Sequence, residues 1–277
     1  MSQQLPDSDQ CPRANGMPML GLGTWENTDP DDCIESVQVA LESGYRHIDT
    51  AQAYGNEHEV GEGIARADVD RDDVFLATKV WLDNLAYDDV IDTTSASLDR
   101  LGTDYVDLLY VHWPSRTYDA EDTLEAFDEL EERGWINRVG VSNFEPEHME
   151  EAVDILDAPL FANQVECHPM LPQEEVRSKA EELDIEVVGY SPLARGEVFD
   201  NDTLTDIAED RDVSAAQVSL AWLRQKGVTP IPKATGRDHV EDNWRSLNLT
   251  LDDEEIERID AIDERGRRVD PSFGPWN

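Results

Sequence analysis

Short apolar segments rich in β-branched residues alternate with longer amphipathic segments along nearly the whole chain. A short apolar run bounded by turn residues is typical of a buried strand, whereas apolar residues recurring every three or four positions are typical of a helix. Their alternation predicts βα units and a parallel sheet. The eight predicted strands are Met19–Gly23, Tyr45–Ile48, Val74–Val80, Tyr105–His112, Ile136–Val141, Leu160–Val165, Ile185–Tyr190 and Val228–Ile231.

Helical patterns fill the intervals between these strands, and glycines mark where several of them stop. Gly44, Gly102 and Gly134 each follow an amphipathic segment, which is the usual position of glycine at a helix C-terminus. Residues 203–226 predict two consecutive helices separated at Arg211–Ser214. Four further helices are predicted at Asp31–Ser43, Asp88–Leu101, Thr123–Arg133 and Gln173–Leu183.

Eight strands, each followed by a helix, predict a (β/α)₈ TIM barrel that occupies residues 1–277 as a single domain. Asn15-Gly16 is a hairpin-turn signal, so residues 6–18 are expected to form a β-hairpin that closes the bottom of the barrel. Residues 264–277 are expected to form a loop-like C-terminal tail. An open doubly wound sheet would require a G-x-G-x-x-G turn after its first strand. The GLGTWE segment of residues 21–26 lacks the third glycine, which favours the barrel.

The composition predicts a cytoplasmic protein without a membrane anchor. No run of 18 or more apolar residues occurs, and the first ten residues lack the features of a secretory signal. Cys11, Cys33 and Cys167 are odd in number and far apart, which argues against a disulfide framework and for a reducing compartment. Cys167 and His168 are adjacent, but no second Cys–His pair matches zinc spacing, so no metal site is predicted.

The formal net charge is −41, from 63 acidic and 22 basic residues spread along the chain without a charged tail. Like charges on a folded surface repel one another, and dissolved salt screens that repulsion. Only four of the basic residues are lysines, against 18 arginines. We therefore expect a halophilic protein whose acidic surface binds neither nucleic acid nor anionic membranes.

Four polar residues near consecutive strand ends form a candidate acid–base site. Asp49 and Tyr54 follow the second predicted strand, and Lys79 and His112 lie at the ends of the third and fourth. The carboxyl ends of barrel strands meet at one mouth, where catalytic groups collect. An ammonium favours the ionised form of a nearby phenol, so Lys79 is expected to lower the pKa of Tyr54, while Asp49 supplies the counter-charge. His112 is placed to donate a hydrogen bond to a substrate carbonyl.

A tyrosine that donates a proton to a polarised carbonyl requires a hydride source, so a nicotinamide site is expected at the same mouth. Tyr190 offers a flat face on which a ring can stack. Ser142, Asn143 and Gln164 carry the donors and acceptors needed to hold a carboxamide. Residues 231–237 lead from the last predicted strand into a helix N-terminus, which is a recurrent phosphate site in barrels.

Eight ordered motifs span nearly the whole chain. They are GLGTW at 21–25, DTAQAYGNEHEVGEGI at 49–64, TKVW at 78–81, LLYVHWP at 108–114, GVSNF at 140–144, NQVECHP at 163–169, GYSPLARG at 189–196 and IPKATGRDHVEDN at 231–243. Together they resemble the motifs of the aldo-keto reductase family. The resemblance implies a barrel whose C-terminal mouth binds an extended NAD(P)H molecule. It further implies the reversible reduction of aldehydes or ketones to alcohols.

The resemblance also implies functions for individual positions. Tyr54 becomes the general acid, assisted by Lys79 and Asp49, and His112 orients the carbonyl. The implied cofactor-binding positions are Ser142, Asn143, Gln164, Tyr190, Ser191, Leu193, Lys233, Thr235, Arg237, His239 and Asn243. The implied substrate-pocket positions are Trp25, Trp81, Trp113 and Trp276.

The loop after the eighth strand departs from the pattern of NADP-preferring members. Such members carry a serine after the loop lysine and an arginine six residues after it, where this chain has Ala234 and His239. The carboxylate expected beside the asparagine is the shorter Asp242. Lys233 and Arg237 remain available for a 2′-phosphate, so NADP(H) is the expected cofactor, with NAD(H) or dual use left open.

Two alternatives to a reductase remain open on the sequence alone. One is a barrel lyase in which Lys79 forms a Schiff base with a carbonyl substrate. The other is a non-catalytic redox-sensing module that binds the cofactor without turnover. The complete set of four acid–base residues favours the reductase. The connecting loops are shorter than those of the longer mammalian-type members. This resemblance to prokaryotic-type members implies an open pocket and broad specificity for small aldehydes, dicarbonyls and keto-sugars. The protein is expected to be a monomer.

Overall fold

Eight parallel strands curl around the centre of the molecule in the computed structural model, which describes residues 4–277. They follow one another around the sheet in chain order, and each is hydrogen-bonded to its neighbours. An antiparallel pair, β1 (Arg13–Ala14) and β2 (Met17–Pro18), precedes them. The parallel strands β3 to β10 are Leu22–Gly23, His47–Asp49, Phe75–Val80, Leu108–Val111, Val139–Ser142, Leu160–Glu166, Glu186–Tyr190 and Val228–Pro230.

Backbone hydrogen bonds between the first and the last parallel strand close this sheet into a barrel. The Gly21 N–H donates to the Pro230 carbonyl and the Gly23 N–H to the Pro232 carbonyl, both at 3.1 Å. A Cβ atom on Gly23 would lie 2.7 Å from the Ile231 carbonyl oxygen, so only glycine allows this close approach. The predicted (β/α)₈ barrel is confirmed.

Helices surround the barrel, and their ends follow local sequence signals. The Asp29 carboxylate accepts hydrogen bonds from the first turn of α1, and Gly44 ends that helix with a φ of 117°, which glycine adopts without strain. The helices α1 to α10 are Pro30–Ser43, Glu57–Arg66, Tyr87–Leu101, Ala120–Glu132, Pro146–Ile155, Glu174–Glu182, Asp202–Arg211, Ala215–Gln225, Arg237–Arg245 and Asp253–Asp260.

Several element boundaries differ from those predicted, and two of them have a clear local cause. Helix α4 begins at Ala120, earlier than the predicted residue 123, because the Asp119 carboxylate caps its first turn. The predicted first strand, Met19–Gly23, keeps only Leu22–Gly23 in the sheet. Its first N–H donates instead to the Pro12 carbonyl, so the start of the segment belongs to the hairpin.

The β1–β2 hairpin closes the N-terminal end of the barrel, as predicted, but its strands span residues 13–18 rather than 6–18, because Ser8–Gln10 form a 3₁₀ turn. Met17 is fully buried and belongs to the cluster inside the barrel, together with Phe75, the first residue of β5. At the same end, His47 Nδ1 lies 3.2 Å from the Pro18 carbonyl oxygen. The open end of the barrel is therefore the one at which the strands terminate.

Most of the core lies between the sheet and the helices. Trp222 on α8 and Trp244 on α9 are the largest fully buried side chains and belong to this layer. A smaller apolar cluster fills the barrel interior. Among residues 4–277, no helix is long and apolar enough to cross a lipid bilayer.

Candidate active site

A cavity of about 710 Å³ opens at the carboxyl ends of the strands. The strands position its polar side chains: Asp49 ends β4, Ser142 ends β7 and Tyr190 ends β9, while His112 directly follows β6. The predicted site residues that line the cavity are Trp25, Asp49, Tyr54, Trp81, His112, Trp113, Ser142, Asn143, Gln164, Tyr190, Ser191, Leu193 and Lys233.

Lys79 lies beneath the cavity with a fully buried side chain. Its Nζ donates to Asp49 Oδ1 at 2.5 Å, to the Thr50 carbonyl at 2.8 Å and to Tyr54 Oη at 3.2 Å. An ammonium has three donors, and each has an acceptor here. The geometry therefore fixes the position of the charge directly under the Tyr54 hydroxyl.

Opposite electrostatic effects act on the buried ammonium. Burial lowers the pKa of Lys79, because desolvation disfavours the charged form. The charges of Asp49 and Tyr54, and the hydrogen bonds to both, outweigh burial and hold the pKa of Lys79 above its usual value. Lys79 is thus a permanent cation at neutral pH, which disfavours its use as a Schiff-base nucleophile.

Tyr54 lies in the single 3₁₀ turn Gln52–Tyr54 between β4 and α2. Burial raises the pKa of Tyr54 above its ordinary value of 10.0, and the Lys79 ammonium opposes this effect without reversing it. The expectation that Lys79 lowers the pKa of Tyr54 is therefore wrong for the net shift. The physical reason is that burial removes the water that would stabilise the phenolate. This loss of solvation outweighs the stabilisation of the phenolate by the Lys79 ammonium.

His112 faces the cavity between two aromatic rings. Its imidazole is edge-on to Tyr54, with ring centroids 5.8 Å apart, and edge-on to Trp81 at 5.2 Å. Burial, reinforced by the Lys79 charge, holds the pKa of His112 well below its usual value of 6.5. A neutral imidazole carries one N–H, so His112 can act as a hydrogen-bond donor without carrying a charge.

A hydrogen-bonded network of amide and hydroxyl groups continues from the acid–base residues. Gln164 Nε2 donates to Asp49 Oδ2 at 2.8 Å, and Ser142 Oγ donates to the Gln164 carbonyl at 2.8 Å. Asn143 Nδ2 donates to Ser142 Oγ at 3.0 Å, while Asn143 Oδ1 accepts from Tyr190 Oη at 2.9 Å. One buried network therefore links the predicted catalytic group to the predicted carboxamide group.

The donor set fits a nicotinamide dinucleotide. The Tyr190 ring and the polar ends of Ser142, Asn143 and Gln164 line one side of the cavity, which suits a flat ring bearing a carboxamide. Exposed Lys233 lines the cavity edge, just before the N-terminus of α9, which suits an anionic phosphate. These residues would hold the cofactor.

The remaining predicted cofactor residues do not line this cavity. They are in the loop before α9 and on that helix, where Arg237 pairs with Glu42 at 3.6 Å and Glu241 at 3.4 Å. Asp242, one of the departures from the NADP-type pattern, accepts hydrogen bonds from Ser214 and Gln217 at the start of α8. The residues outside the cavity lining are Thr235, Arg237, His239 and Asn243.

Three of the four predicted pocket tryptophans line the cavity. Trp25 is 36% exposed and lies under the Arg195 guanidinium, whose carbon is 4.8 Å from the ring centroid. Trp276 is not part of the lining and packs against Trp113, with centroids 5.7 Å apart. Phe273, from the same tail, takes the place at the cavity wall that was expected for Trp276.

Several residues that shape the site were not identified from the sequence. Val269, Pro271 and Phe273 bring the tail to the cavity wall, and no local signal marks them because their contacts lie far away along the chain. Glu166 is fully buried and ends β8. Because side chains alternate along a strand, Glu166 lies on the same face as Gln164. An acidic residue inside this apolar segment could therefore have been identified from the sequence as a candidate site residue.

A model of the Aldo/keto reductase family matches residues 16–264. The chain belongs to this family. It is 37% identical over 272 residues to the glyoxal reductase of Bacillus subtilis (strain 168), with 98% of each chain covered. It is 39% identical over 258 residues to a methylglyoxal reductase of Escherichia coli O157:H7, covering 92% of this chain and 96% of that protein.

Solved structures of aldo-keto reductases share the same fold. The Bombyx mori aldo-keto reductase in complex with NADP superposes with a TM-score of 0.86 at 32% identity, with 92% of each chain covered. The predicted oxidoreductase class, NAD(P)H-dependent carbonyl reduction, is thereby confirmed for this aldo-keto reductase. The Schiff-base lyase and the non-catalytic module are not favoured.

Proposed function

We propose that this aldo-keto reductase reduces small aldehydes and dicarbonyl compounds with NADPH, and that Tyr54 is the proton donor. The observation that carries the proposal is the buried Lys79 ammonium, which lies 3.2 Å from Tyr54 Oη and is held by Asp49. When bound, the cofactor supplies the hydride that the carbonyl carbon accepts. The proton at the carbonyl oxygen must come from the protein, and the Tyr54 hydroxyl lines the same cavity.

The acid–base residues have distinct proposed tasks. The Tyr54 phenol donates its proton to the carbonyl oxygen, and the resulting phenolate is stabilised by the Lys79 ammonium beneath it. Asp49 keeps that ammonium in position and charged. Neutral His112 donates a hydrogen bond to the same carbonyl oxygen and orients it toward Tyr54.

The polar wall of the cavity has the proposed task of binding the cofactor. Tyr190 would stack on the nicotinamide, while Ser142, Asn143 and Gln164 would hold its carboxamide. The residues proposed to bind the phosphates and adenosine are Ser191, Leu193, Lys233, Thr235, Arg237, His239 and Asn243.

The pocket walls support a small carbonyl substrate. Trp25, Trp81, Trp113 and Phe273 give the cavity a largely aromatic wall, and Trp276 supports it from behind. Relatives that cover nearly the whole chain are named glyoxal reductase and methylglyoxal reductase. We infer a prokaryotic-type enzyme for small aldehydes and dicarbonyls.

A panel of carbonyl compounds tests this function directly. Cofactor oxidation is followed with glyoxal, methylglyoxal and an aromatic aldehyde, each with NADPH and with NADH in strong salt. We expect turnover with NADPH and a lower kcat/KM with NADH. Arg237→Ala is expected to raise the KM for NADPH about three- to tenfold and leave that for NADH unchanged, because it removes an exposed cation near the 2′-phosphate. No cofactor oxidation with any carbonyl would contradict the proposal.

The charge of the chain supports a further proposal about its habitat. We infer a halophilic, cytoplasmic monomer whose residues 1–277 act as one domain with an acidic surface. The net charge of −41 supports the first point, and the three free, buried cysteines support a reducing compartment. The tail reaches the cavity wall, which supports a single domain.

Stability should therefore rise with salt. We expect the Tm to increase by at least about 10 °C between 0.2 and 3 M KCl, because salt screens repulsion between surface carboxylates. Differential scanning calorimetry measures the Tm, and sedimentation velocity at the higher salt should show a single species near 31.2 kDa. A Tm that is constant or falls over this range would contradict the halophilic assignment.

A further inference from the structure

Glu166 is a fully buried carboxylate to which the acid–base chemistry assigns no task. It ends β8, and its two oxygens accept three hydrogen bonds. Oε1 accepts from the Arg268 backbone N–H at 2.6 Å and is 3.0 Å from His168 Nε2, while Oε2 accepts from the Val269 N–H at 3.0 Å. A buried anion is costly to desolvate, and these contacts offset that cost.

The two backbone contacts of Glu166 fasten the C-terminal tail, residues 264–277, to the barrel. Within residues 4–277, one other backbone N–H of the tail donates to the barrel, that of Gly266 to the Met170 carbonyl at 3.0 Å. Among side-chain attachments, Arg265 Nη1 donates to the Pro169 carbonyl at 2.6 Å. The ion pairs Arg267–Glu145 and Arg268–Glu197 are at the partly exposed surface, where salt weakens them.

The tail segment just beyond this attachment forms part of the cavity wall. Val269, Pro271 and Phe273 all line the cavity. The Phe273 ring is edge-on to Trp113, with centroids 5.3 Å apart, and edge-on to Trp81 at 6.4 Å. The position of this wall therefore depends on where the chain is held at residues 268 and 269.

We propose that Glu166 is a positioning residue that sets substrate selectivity by holding the C-terminal tail as a wall of the pocket. It acts through the tail: its carboxylate oxygens bond to the tail and to His168 and to no member of the acid–base group, while its backbone pairs with Tyr190 in the register of β8 and β9. The expected change in substrate selectivity rests on the proposed carbonyl-reductase function. The expected change in the attachment of the tail does not depend on that function.

The chemistry of the three donors explains why the residue must be a carboxylate. Glutamine has the same shape, but it offers one acceptor oxygen and turns an NH₂ group toward a donor. Glu166→Gln therefore loses at least one of the contacts to Arg268 N–H, Val269 N–H or His168, and places two donors face to face. The tail should spend more time released from the barrel.

Limited proteolysis tests tail attachment without any substrate. Trypsin cleaves after arginine, and the tail contains Arg265, Arg267 and Arg268. We expect Glu166→Gln to lose its C-terminal peptide at least about tenfold faster than the wild type, followed by mass spectrometry, because cleavage tracks the released population. The control Glu145→Gln removes a carboxylate that pairs with the same tail and should be cleaved at the wild-type rate. Equal cleavage of Glu166→Gln and wild type would overturn the proposal.

Kinetics test the effect on selectivity. We expect Glu166→Gln to raise the KM for an aromatic aldehyde about five- to tenfold, with kcat for glyoxal and the KM for NADPH unchanged. A chain ending at residue 263 should show the same profile, and adding Glu166→Gln to it should change nothing more. A uniform loss of kcat for every substrate would mean a merely structural role and would overturn the proposal.

A second pair of variants tests the same contact from the tail and leaves the barrel intact if Glu166→Gln folds poorly. Arg268→Pro removes the backbone N–H that bonds to Glu166, whereas Arg268→Ala keeps it. Both lose the pair with Glu197, so they differ in the proposed contact. We expect the KM change for the aromatic aldehyde in Arg268→Pro alone. The same change in both variants, or in neither, would overturn the proposal.

Discussion

Replacing Tyr54 with phenylalanine is expected to lower kcat for aldehyde reduction by about 10²- to 10⁴-fold, the usual contribution of a positioned general acid. The substitution removes one oxygen atom and leaves the ring in contact with His112. The Kd for NADPH should stay within about twofold of the wild type. Stopped-flow kinetics with methylglyoxal measure the first quantity, and quenching of tryptophan fluorescence measures the second.

The matching control is a conservative change at a tyrosine outside the site. Tyr118→Phe alters a partly buried tyrosine that packs against Phe144 and does not line the cavity, so it should keep full turnover. Retention of wild-type kcat in Tyr54→Phe would remove the proposed proton donor. Loss of NADPH binding in the same variant would assign Tyr54 a binding task instead.

The pKa of Tyr54 allows its assignment as the proton donor to be tested in the wild type, through the pH dependence of kcat/KM. Burial holds this pKa above the ordinary 10.0, so the phenol is protonated throughout the neutral range. Reduction needs the protonated form, and kcat/KM for reduction should therefore be flat from neutral pH to about 10 and fall only above it. A decline centred near pH 8 would contradict the conclusion that burial outweighs the Lys79 charge in the pKa of Tyr54.

Lys79→Met should abolish turnover and also destabilise the fold by about 3–5 kcal/mol. Methionine fills the volume of the lysine stem but leaves the Asp49 carboxylate, which is only 2% exposed, without its counter-charge. Removing one partner of a buried ion pair has this cost because the remaining charge is uncompensated. Unfolding in urea at constant salt measures the stability, and NADPH oxidation measures the turnover.

The double variant Asp49→Asn/Lys79→Met separates the two effects. It removes both charges, so it should recover most of the stability lost in Lys79→Met while remaining inactive. Recovery of stability without turnover identifies the ammonium as a requirement of the chemistry. A double variant that is no more stable than Lys79→Met would show that the lost packing, rather than the lone Asp49 charge, explains the destabilisation.

Much of this architecture was predictable because it depends on local patterns. A strand whose side chains are buried on both faces reads as a continuous apolar run, and the polar residue that ends it is visible in the sequence. Asp49, Lys79 and His112 were identified in this way, and the barrel then requires strand ends to share one mouth. The GLGTWE segment of residues 21–26 likewise favoured the barrel over the doubly wound alternative before any contact was known.

The structure was needed wherever a property depends on all the residues that are packed around a group. The sequence indicated that Lys79 acts on Tyr54, but not that burial outweighs it in the pKa of the phenol. The amount of water that the packed chain excludes from one hydroxyl depends on many residues that are distant in sequence. Similarly, only the path of the tail shows that Phe273, and not the predicted Trp276, lines the cavity wall.

The sequence by itself determined the barrel, and it indicated the mouth and the residue types proposed for the acid–base chemistry, because periodicity and strand ends are local properties. Only the tertiary structure decided that Glu166 holds residues 268 and 269 and thereby places the last wall of the pocket. That contact joins positions about 100 residues apart, as the separations of 102 and 103 show. Its donors are backbone N–H groups, which every residue except proline carries, so no pattern of side chains in the sequence indicates this contact.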